Sequence, residues 1–340
     1  MPPTAKPKPK KSTAKSKPAK PLPKEFPPSS NPLNAETIFL PKVSLGNLVR
    51  QYKPTQTVQQ IVTTTRKRLR SQGKFLRISH NPANPHTLLY GFDGAILAYR
   101  ISSGSEHRNT ILSEAVKVLP QPKNSEYRGI DRGKYTVRHY CIWSPYNKTP
   151  FVSAQFKADG ESAEDFMRQT TSIWETMSDN LKCLFPAIYR EFTKYPLPEG
   201  LSRMADAFSG IVVNMHTNEG PVETEPHRDV KERKFGMSCL SPFGEYEGGH
   251  LVLWELETVI ELAPGDQLFF RDSLINHSNE SVTDGVRNSV VAFTQQSMFD
   301  YWRRQNGRGV DQQQQRLNRI KKRQKAERKE KRKTKNKGKK

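Results

Sequence analysis

Between residues 206 and 296 the chain alternates short apolar runs with turn residues. AFSGIVVNMH, FGMSCLSPF, GHLVLWEL, TVIEL, QLFFRD and SVVAFTQQ are separated by stretches rich in Gly, Pro, Asp and Asn. Runs of this length and spacing predict the short strands of a sandwich or barrel. Upstream the pattern changes. VQQIVTTTRKRLRSQG (58–73) places Val58, Ile61, Val62 and Leu69 at helical spacing and stops at Gly73. TILSEAVKVL (110–119) predicts a short helix ended by Pro120. Residues 162–195 predict a long one, capped by Ser162 with Asp165 three residues on and broken at Pro186. KFLRIS (74–79), GAILAYRI (94–101) and KYTVRHYCIWS (134–144) read as strands, with a turn cluster at 80–87. The expected fold class is α+β: a double-stranded β-helix, or jelly roll, with N-terminal helices packed on it.

Charge divides the chain further. The formal net charge is +22, and it is concentrated at the ends. Residues 1–24 hold eight lysines and no acid; residues 316–340 hold fifteen Lys and Arg against Glu327 and Glu330. Neither end carries enough apolar surface to offset the entropy of ordering, so both are expected to be disordered basic tails. The organisation expected is a Lys/Pro-rich tail (1–30), a helix-rich part (31–205), the β-helix core (206–305) and a basic tail (306–340). Basic ends on a nearly neutral middle suit nuclear import and nucleic-acid binding through counterion release. Three widely spaced cysteines without a CxxC pair argue against a disulfide framework or a zinc ribbon. No secretory leader and no membrane span are expected.

Candidate chemistry sits on the β region. In ETEPHRDVKE (223–232), His227 and Asp229 are two residues apart, so an extended backbone turns both side chains to one side. His277 follows about four short strands later, enough chain to return beside them. Two imidazoles and a carboxylate on one face of an ion form the facial triad of non-haem Fe(II) oxygenases. Arg287 lies ten residues beyond His277, and Ser289 points the same way from its strand. An arginine deep in a barrel cannot lose its charge and needs an anion; a carboxylate of 2-oxoglutarate would serve. Arg228, between the first two ligands, is expected to face away from the ion.

At these residues the sequence resembles the Fe(II)/2-oxoglutarate dioxygenases, and within them most the TET/JBP group, which oxidises methyl groups of nucleic-acid bases. The resemblance spans roughly residues 206–300. It implies Fe(2+) held by His227, Asp229 and His277, with 2-oxoglutarate anchored by Arg287. It implies base contacts from Glu232, three residues after the aspartate, and stacking by Phe293, six after the arginine. Gln295 stands where some members have a base-bonding histidine, and Val222 where some have an arginine that helps hold 2-oxoglutarate. The implied activity is 2-oxoglutarate- and O2-dependent oxidation of a base such as 5-methylcytosine or N6-methyladenine. The implied partner is nucleic acid, DNA ahead of RNA, for a nuclear monomer.

Weaker candidates are Asn214, for 2-oxoglutarate, and Asn147, for the base. NPHTLLYGFDG (84–94) and WSPYNKTPF (143–151) are candidate substrate loops. His216 is expected in a loop or behind the ligands, and His250 in the pocket or at the surface. His80, His86, His107 and His139 are placed outside the barrel. Trp254, Phe269 and Phe270 are read as core, and Asp272 and Asn276 as supports of the turn before His277. Competing readings are a prolyl-type protein hydroxylase with the same cofactors, a catalytically silent chromatin or nucleic-acid-binding module, and a zinc hydrolase, which would have no need of Arg287.

Overall fold

The structure, a computed structural model, describes residues 31–51, 63, 75–120, 135–144, 149–217 and 220–305. The helix expected at 58–73, apart from Thr63, lies outside them, as do both basic ends and Asn147.

The strands are β1 (Glu36–Leu40), β2 (Leu76–Ile78), β3 (His86–Gly91), β4 (Ile96–Ile101), β5 (Thr136–Trp143) and β6 (Phe151–Val152). After residue 206 come β7 (Gly210–Met215), β8 (Ser238–Gly248), β9 (Leu251–Leu253), β10 (Thr258–Ile260), β11 (Gln267–Phe270), β12 (His277–Asn279) and β13 (Val282–Phe293). The helices are α1 (Leu45–Gln51), α2 (Ser105–Ala115), α3 (Ala154–Asp159), α4 (Glu161–Gln169), α5 (Thr171–Leu184), α6 (Pro186–Lys194) and α7 (Gln296–Gln305).

The strands form a nine-stranded sheet ordered β1-β3-β4-β11-β8-β13-β7-β5-β6 and a four-stranded sheet ordered β12-β9-β10-β2. Within the large sheet only β1 and β3 run parallel. Two cores follow from the period of two along a strand. Leu97, Leu240, Leu268 and Phe270 of the large sheet pack with Leu251, Leu253 and Ile260 of the small one. The opposite face of the large sheet presents Tyr140, Ile211, Val213, Val290 and Ala292 to Phe166 of α4, Met177 and Leu181 of α5, Phe192 of α6 and Phe299 of α7.

Several expectations move. The large sheet takes β1, β3, β4, β5 and β6 from before residue 206, so the β framework reaches well upstream of the apolar runs that announce it. The candidate loop at 84–94 is mostly strand β3, and His86 begins it. The helix expected from residue 110 starts at Ser105, because Gly104 adopts a left-handed φ of 71° that opens the turn. The long helix is three short ones, α4, α5 and α6, with α3 preceding them. Ser162 is not a cap, since α4 already starts at Glu161 after Gly160; Ser153 is the cap, accepting from the Phe156 amide in α3. The break at Pro186 is present, with the proline in the first turn of α6, where its missing N–H costs nothing. Asp159 anchors this layer: it accepts from Arg138 and Tyr140 of β5 and from Gln155. Among the described residues no helix is long and apolar enough to cross a membrane.

Candidate iron and 2-oxoglutarate site

His227 and His277 are joined by a two-way backbone bridge. His227 N donates to the His277 carbonyl at 3.0 Å, and His277 N to the His227 carbonyl at 2.8 Å. Asp229 is fixed in turn, its amide donating to the Asp272 carbonyl at 3.2 Å. Backbone pairing thus brings together residues about fifty apart in sequence. Their ligating atoms all lie within 4.8 Å of one another. Asp229 Oδ2 is 3.5 Å from His277 Nε2 and 3.9 Å from His227 Nε2.

The histidines are oriented from behind. His227 Nδ1 lies 2.7 Å from the Glu225 carbonyl, and His277 Nδ1 3.1 Å from that of Ile275. A carbonyl only accepts, so each Nδ1 carries the proton and each Nε2 presents a lone pair, the tautomer a metal ligand requires. Phe270 packs edge-on against His277 with ring centroids 4.9 Å apart. Burial disfavours the charged form of His277, yet the hydrogen bond and charge of Asp229 raise its pKa overall. Burial, reinforced by the neighbouring Asp229 charge, pushes Asp272 up to about 7. Three acceptors crowded this closely, two of them competing for a proton, suit a divalent cation.

The same cavity, about 500 Å³, extends from the triad to Arg287. Arg287 is buried, and burial pulls its pKa down. Its Nη1 donates to the Val222 carbonyl at 3.2 Å, its guanidinium lies over the Tyr246 ring, and its Nε has no hydrogen-bond partner among the described residues. A buried guanidinium on the wall of a cavity suits a carboxylate ligand. Gly249, at a φ of 62°, lets the arginine stem pass: a Cβ there would stand 2.6 Å from Arg287 Cδ. Ser289 lines the cavity beside Arg287, and its Oγ accepts from Asn214 Nδ2 at 3.0 Å.

Glu232, Phe293 and Gln295 line the same space, with Glu232 and Gln295 paired across an isolated antiparallel bridge. The expected residues therefore gather around one cavity, Asn147 excepted, which is outside the described residues. Arg228 is buried away from the lining and feels the charge of Glu255. His216 and His250 do not line the cavity. The His216 amide donates to Asn288, and His250 lies near Glu261 and Glu280. His139 corrects its expectation: it belongs to β5, inside the large sheet, and faces the cavity with Tyr135, Val137 and Trp143. Phe270 also lines the cavity as well as packing in the core, whereas Phe269 is core alone.

Sequence reading also passes over Glu255. Its Oε2 accepts from the Asn276 amide at 2.6 Å and its Oε1 from Asn276 Nδ2, which fixes the residue just before His277. Nothing in the pattern around WELE separates this glutamate from its neighbour Glu257. No family model matches the chain, and no curated protein does.

Solved structures do resemble it. NgTET1 in complex with 5mC DNA has a TM-score of 0.51 at 15% identity, covering 75% of this chain and 92% of that one. An oxidoreductase of the 2OG-Fe(II) oxygenase family from Burkholderia pseudomallei gives 0.36 at 11%, covering 75% and 94%. The dioxygenase for auxin oxidation in rice gives 0.37 at 14%, covering 78% and 84%. The likeness to NgTET1 shows a shared fold, a mixed α+β architecture built on a large antiparallel sheet.

Proposed function

We propose that this chain is an Fe(II)- and 2-oxoglutarate-dependent dioxygenase that oxidises a methylated nucleic-acid base. The observation that carries the reading is the pairing of two features in one cavity. His227, Asp229 and His277 present three ligand atoms within 4.8 Å, and the buried Arg287 shares the same walls. A zinc hydrolase would leave that arginine without a role.

When bound, iron and 2-oxoglutarate supply the oxidising power: O2 is consumed as 2-oxoglutarate becomes succinate and carbon dioxide, and a substrate C–H becomes C–OH. The protein's own groups do the rest. His227, Asp229 and His277 would hold the ion. Arg287 and Ser289, with Asn214 behind, would hold a carboxylate of the co-substrate. Val212, Leu240, Leu251 and Val291 make the walls apolar and keep water out. A base taken from a duplex must be flipped out at a cost of a few kcal/mol. Phe293 offsets this by stacking, and Glu232 and Gln295 by hydrogen bonds to the base edge. Support for a base as substrate comes from these three residues and from the shared fold with a TET structure holding 5mC DNA.

Residues 31–305 act as one catalytic unit, a monomer, between the basic segments 1–30 and 306–340. The charge of those ends adds sequence-independent, salt-sensitive affinity and suits a nuclear address. The test is mass spectrometry of modified nucleosides after incubation of DNA and RNA with the full chain, Fe(II), 2-oxoglutarate and O2. Oxidised base with matching succinate, lost in Asp229→Ala, is expected. Succinate formation with every methylated base left intact would overturn the substrate assignment.

A further inference from the structure

One face of β5 has no part in holding either cofactor. Val137, His139 and Trp143 turn to the cavity, as alternate residues of a strand must, with Cys141 filling the place between His139 and Trp143. The His139 and Trp143 rings stack, with centroids 5.9 Å apart and planes 25° from parallel. Trp143 is paired in register with Phe151 of the edge strand β6. Directly opposed residues of an antiparallel pair share a face, and Phe151 is 38% exposed.

On the inner side, level with Cys141, Phe293 lies against Gly210. Gly210 makes this possible: a Cβ there would lie 2.2 Å from Cys141 Cβ and 3.2 Å from Phe293 Cζ, so the ring settles over bare backbone. Phe293, His139 and Trp143 thus line one cavity, and Phe151 stands opposite Trp143 at the sheet edge. Exposed Val230 and Lys231 also line the cavity. A row meant only for packing would be closed over by a neighbouring element, whereas Trp143 and His139 are half-buried and open into the cavity.

We propose that the His139–Trp143–Phe151 row is a stacking surface for the nucleobase next to the one that enters the cavity, with Lys231 of the cavity lining the cation that meets the connecting phosphate. This rests on the base-oxidation reading and deepens it: the preferred substrate is an unpaired strand rather than a free nucleoside. Flat π surfaces beside a basic group accept any base and read none of its edges, so the row adds affinity without sequence preference.

The test measures binding of the full chain to a short fluorescent single strand carrying one 5-methylcytosine. A second strand has an abasic site beside that base. Losing one stacked base is expected to weaken binding of the wild-type protein about tenfold or more. Trp143→Ala is expected to bind the intact strand as weakly as the wild type binds the abasic one, with no further loss on the abasic strand. Trp143→Phe should recover most of the affinity. Wild-type binding that ignores the abasic site overturns the proposal without any variant, and so does a Trp143→Ala loss that is equal on both strands. If the wild type binds neither strand nor methylated duplex, the base-oxidation reading fails and the stacking surface with it.

Discussion

Arg287 Nη1 donates to the backbone carbonyl of Val222 at 3.2 Å. Val222 thus takes part, through its main chain, in orienting the guanidinium. One donor is tied to backbone, the stem is threaded past Gly249, and the residue lines the cavity. Lysine has no fork and one point charge. Arg287→Lys is expected to raise the KM for 2-oxoglutarate about 100-fold, the scale of losing a buried charge-assisted contact, with iron affinity unchanged. Succinate formation titrated against 2-oxoglutarate checks the first, and calorimetry with Mn(II) the second.

Removing Asp229 acts on the ion itself. A supporting residue behind a metal ligand is worth 10–100-fold in affinity, and loss of one of three ligands must exceed that. Asp229→Ala is expected to weaken Fe(II) binding by more than about 100-fold, read anaerobically by equilibrium dialysis.

Glu255 tests the support of the distal histidine. Both its carboxylate oxygens accept from Asn276, and Arg228, between the other two ligands, lies within reach of its charge. Glu255→Ala leaves the Asn276 amide without its acceptor and frees the turn. A fall in metal affinity of about tenfold is expected, with a changed Co(II) absorption spectrum. A purely structural role would lower the melting temperature and leave the spectrum of the bound ion alone.

Stability away from the site rests on Asp159. It forms a buried ion pair with Arg138 at 2.7 Å and accepts from Tyr140 at 2.6 Å. Asp159→Ala strands a guanidinium inside the protein, which costs about 3 kcal/mol or more. An earlier urea midpoint with an unchanged slope is expected.

The parts legible in the sequence are those whose geometry is local. His227 and Asp229 share a face because extended backbone alternates; Arg287 and Ser289 do so for the same reason. Pro186 breaks a helix by chemistry that needs no neighbour. What escaped was settled by distant pairing. β5 reads as a strand, but its partner β7 lies some seventy residues on, and nothing in KYTVRHYCIWS says that its odd positions face the cavity. His139 was therefore invisible as a lining residue, and Trp143 was legible only as the first residue of a candidate substrate loop. Glu255 escaped likewise, since its value depends on Asn276 lying alongside. The helix α2 was truncated in prediction because its first turn, SEHRN, is polar and carries no periodic signal.

Strand β13 and the residues just after it bring Arg287, Ser289, Val291, Phe293 and Gln295 to the cavity, all at odd positions, while Val290 and Ala292 face the helices. The strand is in effect a ruler with Arg287 at one end and Gln295 at the other. Its spacing cannot be tuned one residue at a time, because a single insertion beyond Arg287 would turn every later mark to the wrong face. Upstream, the ladder with β8 already slips between Val282 and Asp284, just ahead of Gly285. That irregularity is where a change of length can be absorbed, so variation in this strand is tolerated before the arginine and forbidden after it.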